Sequence, residues 1–251
     1  METLKIFIAS HCDFDCPVHN PAYEILDSRK MDNDRYGELS GSYFSELFNY
    51  HWYREHTPVD EMPEYIGFCG YRKYFSFMDN FSPETVIAAV KKFGCLCGQK
   101  LHLQETVRQH YAWNHNIYDL ETLTGCALLG HHEEPISKEF NVYFDKFLDG
   151  HDMFTCNMFI MHRDDFVKMI DFIWGVLIEF NNWQLSGDTD ADVQQHVYNE
   201  YMAGHTRCIG GVRHQSRIGG YLGERLVSAY IMWKFPEAKP VGMIMTGDRI
   251  R

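Results

Sequence analysis

Short apolar runs alternate along the chain with longer stretches in which apolar residues recur every three or four positions. The short runs predict buried strands, and the longer stretches predict amphipathic helices. The first run shows little alternation, which is typical of a central strand buried on both faces. The predicted strands are at residues 4–9, 65–68, 95–97, 154–161 and 241–245.

Helix boundaries are marked most clearly around Ser82. This residue is a preferred N-cap, Pro83 suits the first helical position, and Gly94 is a typical C-terminal stop. Ser40 is a similar candidate N-cap for a helix that lies earlier in the chain than the one capped by Ser82. The remaining predicted helices fall within residues 106–121, 137–148, 166–177 and 218–234, and the third of these has the strongest helical periodicity.

The alternation of strands and helices favours a layered α/β fold, in which helices flank a central sheet. No internal repeat or low-complexity linker divides the sequence, so residues 1–251 are predicted to form a single domain. The polar segment 186–211, which contains the sequence DTDAD, is interpreted as an inserted loop.

Composition argues against several classes of protein. A chain of 251 residues with 45% hydrophobic residues can bury a large core, and disorder is not expected. A formal charge of −12 argues against a nucleic-acid partner, because backbone binding needs clustered Lys and Arg. No apolar run reaches the roughly 18 residues of a membrane span, and no signal peptide is recognisable. The expected compartment is the cytoplasm, where the eight cysteines would stay reduced.

The stretch YIGFCGYRKYF at residues 65–75 joins the end of a predicted strand to two cations set among aromatic residues. Ligands of open α/β sheets lie beyond the carboxyl ends of the strands. The guanidinium of Arg72 would there present a planar donor fork to a phosphate, and Tyr71 or Tyr74 could stack on a base or sugar. For this stretch alone, an aromatic sheet edge with a surface Arg-Lys pair is the more common situation.

The same stretch resembles the Y-x-G-x-x-H-Y-R-R-Y-F signature of a bacterial and viral glycosyltransferase family, domain of unknown function 4422, associated with capsule and O-antigen synthesis. The resemblance extends over nearly the whole chain, and it departs at Gly70, where the family has a histidine. The other matching segments are IFIASH at 6–11, SYFSEL at 42–47, ETVRQHYAWNHNIYDLE at 105–121, NMFIM at 157–161 and RIGGYLGERL at 217–226.

The resemblance implies a GT-A-like fold with a mostly parallel central sheet, and transfer of a sugar from a nucleotide-sugar to a saccharide hydroxyl. The family includes galactofuranosyltransferases, so a uridine diphosphate sugar is the expected donor, and inversion at the anomeric carbon is favoured. Such a reaction needs a base for the acceptor proton and positive charge for the leaving diphosphate. The first candidate for the base is Glu224, followed by Glu46 and Asp32.

Binding residues are expected in the segments that carry the resemblance. The donor-binding candidates are His11, Asn33, Tyr71, Arg72, Asn157, Arg217 and Arg225, with Lys73 as a further cation. The acceptor-binding candidates are His110, Tyr111 and His115, which stand near Asp119 in a segment dense in polar aromatic groups. Each has an ordinary alternative, because helix-surface charges, turn-capping residues and hydrogen-bonded packing histidines are common.

Two further functions remain open from the sequence. A catalytically inactive carbohydrate-binding relative would follow if the histidine replaced by Gly70 is essential. A metal-dependent hydrolase is suggested by HCDFDCPVH at residues 11–19, although the spacing of Cys12 and Cys16 is not a specific zinc pattern and a loop with incidental ligands is favoured.

A divalent cation, Mn²⁺ or Mg²⁺, also remains open as a cofactor of the transferase. Such an ion is usually held by an Asp-x-Asp pair after a mid-sheet strand, and the strand at 65–70 is not followed by one. The segments DFD at 13–15 and DTDAD at 188–192 contain an Asp-x-Asp pair but do not have the position directly after a mid-sheet strand. Cationic side chains are therefore expected to neutralise most of the diphosphate charge.

Overall fold

The strands in the described part of the chain form one mixed sheet. The computed structural model describes residues 2–31, 43–129, 136–184 and 189–246. The strands are β1 (Leu4–Ser10), β2 (Tyr23–Asp27), β3 (Tyr65–Gly70), β4 (Lys73–Phe75), β5 (Cys95–His102), β6 (Asp152–His162), β7 (Lys239–Pro240) and β8 (Met243–Met245).

The strand order is β2-β1-β3-β6-β5-β7, and five of these six described strands run in the same direction. Only β6 is antiparallel to its neighbours on this path, β3 and β5. β4 turns back from the end of β3 and also pairs with β8. The predicted α/β fold with a mostly parallel central sheet is therefore confirmed.

Helices cover both faces of this sheet. Ser82 caps α2 by accepting a hydrogen bond from the backbone of Thr85, Pro83 opens the helix, and Gly94 ends it with φ +74°, all as predicted. The described helices are α1 (Glu46–His56), α2 (Pro83–Phe93), α3 (Val107–Asn114), α4 (Ile117–Leu129), α5 (Ile136–Leu148), α6 (Arg163–Gln184), α7 (Asp190–Met202), α8 (Val212–Gln215) and α9 (Ile218–Lys234).

The first strand shows how the sequence divides the core into two layers. Ile6 and Ile8 pack on one face of the sheet with the apolar residues of α2. Phe7 and Ala9 pack on the opposite face with residues of α1, α6 and α9. Because successive strand residues point to opposite faces, a continuous apolar run is what a strand covered on both sides requires.

The interpretation of segment 186–211 as a loop is wrong, because α7 occupies residues 190–202. The hydroxyl of Thr189 accepts from the backbone N–H of Asp192, whose carboxylate accepts from the backbone N–H of Thr189. This reciprocal capping box accounts for most of the DTDAD sequence. Val193 and Val197 anchor the helix to the core, a pattern too sparse to be recognised as an apolar stripe.

Other boundaries also differ from the prediction. The strand expected at residues 95–97 continues to His102 and pairs with β6 across a bulge. The proposed N-cap Ser40 lies outside the described residues, and α1 begins at Glu46 after Ser45, which has φ +55° and makes no side-chain cap.

Candidate functional site

A cleft of about 750 Å³ opens beyond the carboxyl ends of β1 and β3. This is the edge at which open α/β sheets bind ligands, and the volume is typical of a small-molecule site. The residues that line it are Ala9, Ser10, His11, Ser28, Arg29, Ser45, Glu46, Asn49, Gly70, Tyr71, Arg72, Lys73, Gly210, Arg213, His214 and Arg217.

The cleft is strongly cationic in a protein whose formal charge is −12. Glu46 is the one carboxylate among its described lining residues. A local focus of positive charge can hold an anionic ligand against an opposing global field. The cationic side chains of the lining are Arg29, Arg72, Lys73, Arg213 and Arg217.

These cations differ in how far the protein itself neutralises them. Arg29 contacts the carboxylates of Asp13 and Asp27, each at 2.7 Å, so its charge is already balanced. Arg217 instead donates through Nε and Nη2 to the neutral hydroxyl of Ser45, at 3.0 and 2.9 Å. Among the described residues no carboxylate pairs with Arg217, so no described side chain balances its charge in the cleft.

The turn between β3 and β4 places Tyr71 and Arg72 at the mouth of the cleft. The backbone N–H of Tyr71 donates to the carbonyl of Ala9 at 3.0 Å, which ties the turn to the end of β1. The ring of Tyr71 lies edge-on to His11, with ring centroids 5.1 Å apart, and 5.0 Å from the Arg72 guanidinium carbon. Burial, and then Arg217 and Arg72, lower the pKa of His11, so its imidazole is neutral at pH 7.

Glu46 lies at the N-terminus of α1, directly beside the position where the family signature has a histidine. A Cβ atom added to Gly70 would lie 3.7 Å from Oε1 of Glu46. Burial opposes the charged form of Lys73, but Glu46, Cys156 and Glu224 together outweigh burial and raise the Lys73 pKa. The carboxylate of Glu46 is therefore close to the cations at the end of β3.

The partly buried Glu224 and the buried Arg225 form a network behind the cleft, and neither is among its lining residues. Oε1 of Glu224 accepts from the backbone N–H of Cys156 at 2.6 Å, and Oε2 accepts from Nη1 of Arg225 at 2.9 Å. Arg225 is 2% exposed, and its Nη2 lies 3.2 Å from Nδ1 of His110. Its guanidinium carbon is 5.3 Å from the ring centroid of Tyr111.

The network holds a strained point of β6. Cys156 and Asn157 adopt φ values of +71° and +52°, a region that residues other than glycine rarely occupy. Ser228 of α9 accepts from the backbone N–H of Phe154 at 2.8 Å, two residues before the contact made by Glu224. Helix α9 thus fixes the bend of β6 through two side chains one turn apart. The buried Oδ1 of Asn157 has no hydrogen-bond partner among the described residues.

The three acceptor-binding candidates lie away from the cleft. Tyr111 is fully buried, and His110 contacts Arg225. His115 stacks on Tyr221 with ring centroids 4.0 Å apart, and burial lowers its pKa to about 3. Tyr111 and His115 line a separate cavity of about 10 Å³, and His110 belongs to the network beside it, so none of the three is among the lining residues of the cleft.

Asp119 lines the same small cavity, and its burial favours the protonated carboxyl group. Burial raises its pKa to about 7, and Glu200 adds to the shift, while a hydrogen bond from Gln184 opposes it. Nε2 of His196 is 4.0 Å from its Oδ1. Since the folded pKa exceeds the unfolded value, the contribution of Asp119 to stability is full below about pH 4 and is lost as the pH rises to about 7.

The variant Asp119→Asn should therefore be more stable than the wild type at pH 8, by roughly 4–8 °C in melting temperature, and much less so at pH 5. Asparagine keeps a carbonyl oxygen for the hydrogen bond from Gln184 but has no proton to lose. Burial lowers the pKa of His196, so this histidine makes stability rise with pH, opposite to the effect of Asp119. Wild type and variant must therefore be compared at the same pH. A melting-temperature difference that is equal at pH 5 and pH 8 would contradict the prediction.

The metal-site interpretations find little support in the described residues, where no group of three or more His, Cys, Asp or Glu side chains converges. Asp13 contacts Arg29, and Cys16 donates to the carbonyl of Val18. Asp192, of the DTDAD sequence, caps α7. Asp32 and Asn33, a base candidate and a donor-binding candidate, lie outside the described residues.

Several residues of the cleft were not predicted from the sequence. Arg29 follows β2, and Arg213 and His214 precede α9, so none belongs to the matching segments. Arg213 and His214 lie only a few residues before Arg217, and proximity to that segment was the one available signal.

In the described part of the chain, no helix combines the length and the apolar character that crossing a membrane requires.

The comparisons with known proteins agree with this fold. The fold is glycosyltransferase-like: the apo structure of the WbbM bifunctional glycosyltransferase superposes with a TM-score of 0.68 at 16% sequence identity. The match covers 98% of this chain and 46% of that one, so the chain spans about half the length of its structural relative. The chain belongs to the family described as Domain of unknown function (DUF4422), whose model matches residues 5–204. No curated protein matches the sequence.

Proposed function

We propose that this protein is a glycosyltransferase that moves a hexosyl group from a uridine diphosphate sugar to a saccharide hydroxyl, in the synthesis of a polysaccharide such as a capsule or O-antigen. The observation that carries the proposal is the cationic cleft with one carboxylate among its described lining residues. A diphosphate leaving group needs fixed positive charge, and an attacking hydroxyl needs a base. The glycosyltransferase-like fold supports the same reaction class.

The cleft residues divide into a donor-binding set and a base. Arg72, Lys73 and Arg217 would bind the diphosphate, because guanidinium groups match phosphate oxygens and ammonium groups add charge. Tyr71 would stack on the uracil or ribose. Glu46 would accept the proton of the attacking hydroxyl, and a single displacement assisted by one base would invert the anomeric carbon.

Residues behind the cleft would act through the position of β6. Asn157 would direct its side-chain oxygen to a donor-sugar hydroxyl, because this buried atom has no partner in the described part of the chain and a buried polar atom without a partner is costly. Glu224 and Arg225 would hold the Cys156–Asn157 bend in place. Under this assignment His110 supports Arg225 and does not touch a substrate.

The first test is the binding of uridine diphosphate to wild type and Arg72→Ala. Arg72→Ala should weaken the nucleotide affinity by about 1.5–3 kcal/mol, the range for a charge-assisted hydrogen bond, and Lys73→Ala should have a smaller effect. Isothermal titration calorimetry measures both, and a thermal-shift series with other nucleotides tests the preference for uridine.

A matched control for this test is Arg108→Ala, which removes an arginine that contacts Asp145 and Asp149 and does not line the cleft. Nucleotide affinity should be unchanged in that variant. Equal affinities of wild type and Arg72→Ala would return Arg72 to the role of a surface charge beside an aromatic edge.

A catalytically inactive nucleotide-sugar-binding protein is the second candidate, and Gly70 is the observation that favours it. A histidine there would extend toward Glu46, so the glycine removes a possible partner of the proposed base. Hydrolysis or transfer of the sugar from the donor that binds most tightly separates the two functions. Tight donor binding without turnover over a panel of saccharide acceptors would favour the inactive relative.

A further inference from the structure

Exposed aromatic residues lie at the end of α3 and the start of α4, beside the loop that follows α7. Trp113 and Tyr118 are 63% and 47% exposed, and Ile209 is also exposed. The side chains of Arg207 and His205 border them. We refer to these five residues as the aromatic surface. Large exposed apolar groups that cluster in this way usually mark a binding surface.

The rings of the aromatic surface are held in place by polar neighbours. The guanidinium carbon of Arg207 lies 4.7 Å from the ring centroid of Trp113. The ring of Tyr118 lies edge-on to His205, with centroids 5.2 Å apart, and Nδ1 of His205 contacts Glu200 at 2.9 Å. The surface therefore combines ordered aromatic rings with hydrogen-bonding groups beside them, and Arg207 covers one face of Trp113.

Two connections join the aromatic surface to the cleft, one along the backbone and one through side-chain contacts. The loop that carries Arg207 and Ile209 continues directly into Gly210, which lines the cleft. Nε2 of Gln215 donates to the carbonyl of Ile209 at 2.5 Å, which anchors the loop.

The second connection starts at His115, two residues after Trp113. His115 stacks on Tyr221, whose hydroxyl lies 2.9 Å from Nε2 of His214. His214 lines the cleft. Both connections join the aromatic surface to residues that line the cleft.

We propose that the aromatic surface binds the saccharide acceptor, at sugar units beyond the one that carries the attacking hydroxyl. The negative face of an aromatic ring attracts the partly positive C–H groups of a sugar face, and hydrogen-bond donors beside the rings suit sugar hydroxyls. An acceptor that reaches the proposed base from solvent must cross a surface adjoining the cleft. The inference rests on the proposed transferase function and deepens it by assigning an acceptor site.

The test uses Trp113→Ala and, as a matched control, Trp183→Ala, which removes an equally exposed tryptophan on α6 (65% against 63%). Saturation-transfer NMR and fluorescence titration would follow the binding of neutral glucose, mannose and galactose oligomers, from monosaccharide to hexasaccharide. In the wild type at least one series should bind more tightly as it lengthens. Trp113→Ala should weaken the longest oligomer by about three- to tenfold, the effect of losing one aromatic contact. Trp183→Ala should not.

Calorimetry with uridine diphosphate on the same three proteins separates the two hypotheses. Normal nucleotide affinity together with the loss of oligosaccharide binding in Trp113→Ala supports the acceptor site. Normal nucleotide affinity with no length dependence, or with equal losses in both variants, overturns the acceptor site and leaves the proposed function standing. Absence of nucleotide binding in the wild type would instead remove the proposed function.

Two other occupants of the aromatic surface would also overturn the inference. Phosphatidylcholine vesicles that bind wild type and not Trp113→Ala, in the absence of oligosaccharide binding, would identify a lipid surface. Self-association that sedimentation detects in wild type and not in Trp113→Ala would identify a second copy of the chain.

Discussion

Replacing Glu46 by glutamine is expected to lower sugar transfer by about 100-fold or more and to leave the affinity for uridine diphosphate close to that of the wild type. Glutamine keeps the shape of the side chain but cannot accept a proton. Glu46 is the one carboxylate among the described residues that line the cleft, and it stands next to Gly70 and Lys73. The measurements are the rate of transfer at saturating donor and acceptor, and calorimetry with the nucleotide.

A matched control is Glu55→Gln, which makes the same chemical change near the other end of α1, away from the cleft. Transfer and nucleotide affinity should both be unchanged in that variant. If Glu46→Gln transfers sugar at nearly the wild-type rate, the base must be sought at Asp32 or Glu224. If it loses nucleotide binding as well, the role of Glu46 is to organise Lys73 and Arg217, and it is not the base.

Much of the fold could be predicted because local signals and tertiary packing agree. The Ser82–Pro83 start and Gly94 end of α2 depend on cap chemistry within the helix itself. The unbroken apolar run of β1 matches burial on both faces. Helix α7 was missed because only Val193 and Val197 anchor it, and because its capping box was taken for a loop sequence.

The part of the site that could be predicted lies at the ends of strands. His11, Tyr71 and Arg72 follow apolar runs that must be central strands, so the direction of the chain alone brings them to one edge of the sheet. Motifs on helices predicted the site less well, because the sequence of a helix buried on several sides does not indicate which side chain faces the ligand. Arg217 lines the cleft, whereas Arg225, two turns further along α9, is buried behind it.

The glycines of the RIGGYLGERL segment have a packing role that the sequence did not reveal. A Cβ atom at Gly220 would collide with Ser45, and one at Gly223 would collide with Leu47. Because these two glycines have no Cβ atom, α9 can approach the start of α1 closely, and the hydroxyl of Ser45 then reaches Arg217. The match to the family in this segment therefore reflects how the wall of the cleft is built as well as which residues it presents.

The largest loss of stability is expected from Glu224→Gln, about 3 kcal/mol in the free energy of unfolding. The glutamine oxygen can still accept from the backbone N–H of Cys156, but Arg225, 2% exposed, loses the carboxylate that balances its charge. Because the bend at Cys156 and Asn157 would then be held less firmly, donor affinity and transfer should fall together with stability. Urea unfolding, calorimetry with uridine diphosphate and transfer rates measure the three effects.

The double variant Glu224→Gln/Arg225→Met tests the reason for this loss. Removing both charges leaves no unbalanced buried cation, so the double variant should recover part of the stability that Glu224→Gln loses, whereas independent roles would give additive losses. A Glu224→Gln variant with intact stability and donor affinity but transfer reduced about 100-fold would contradict the supporting role and make Glu224 the base. Nearly wild-type behaviour in all three measurements would exclude both roles, because a carboxylate that neither balances Arg225 nor accepts a proton has no remaining function at this bend.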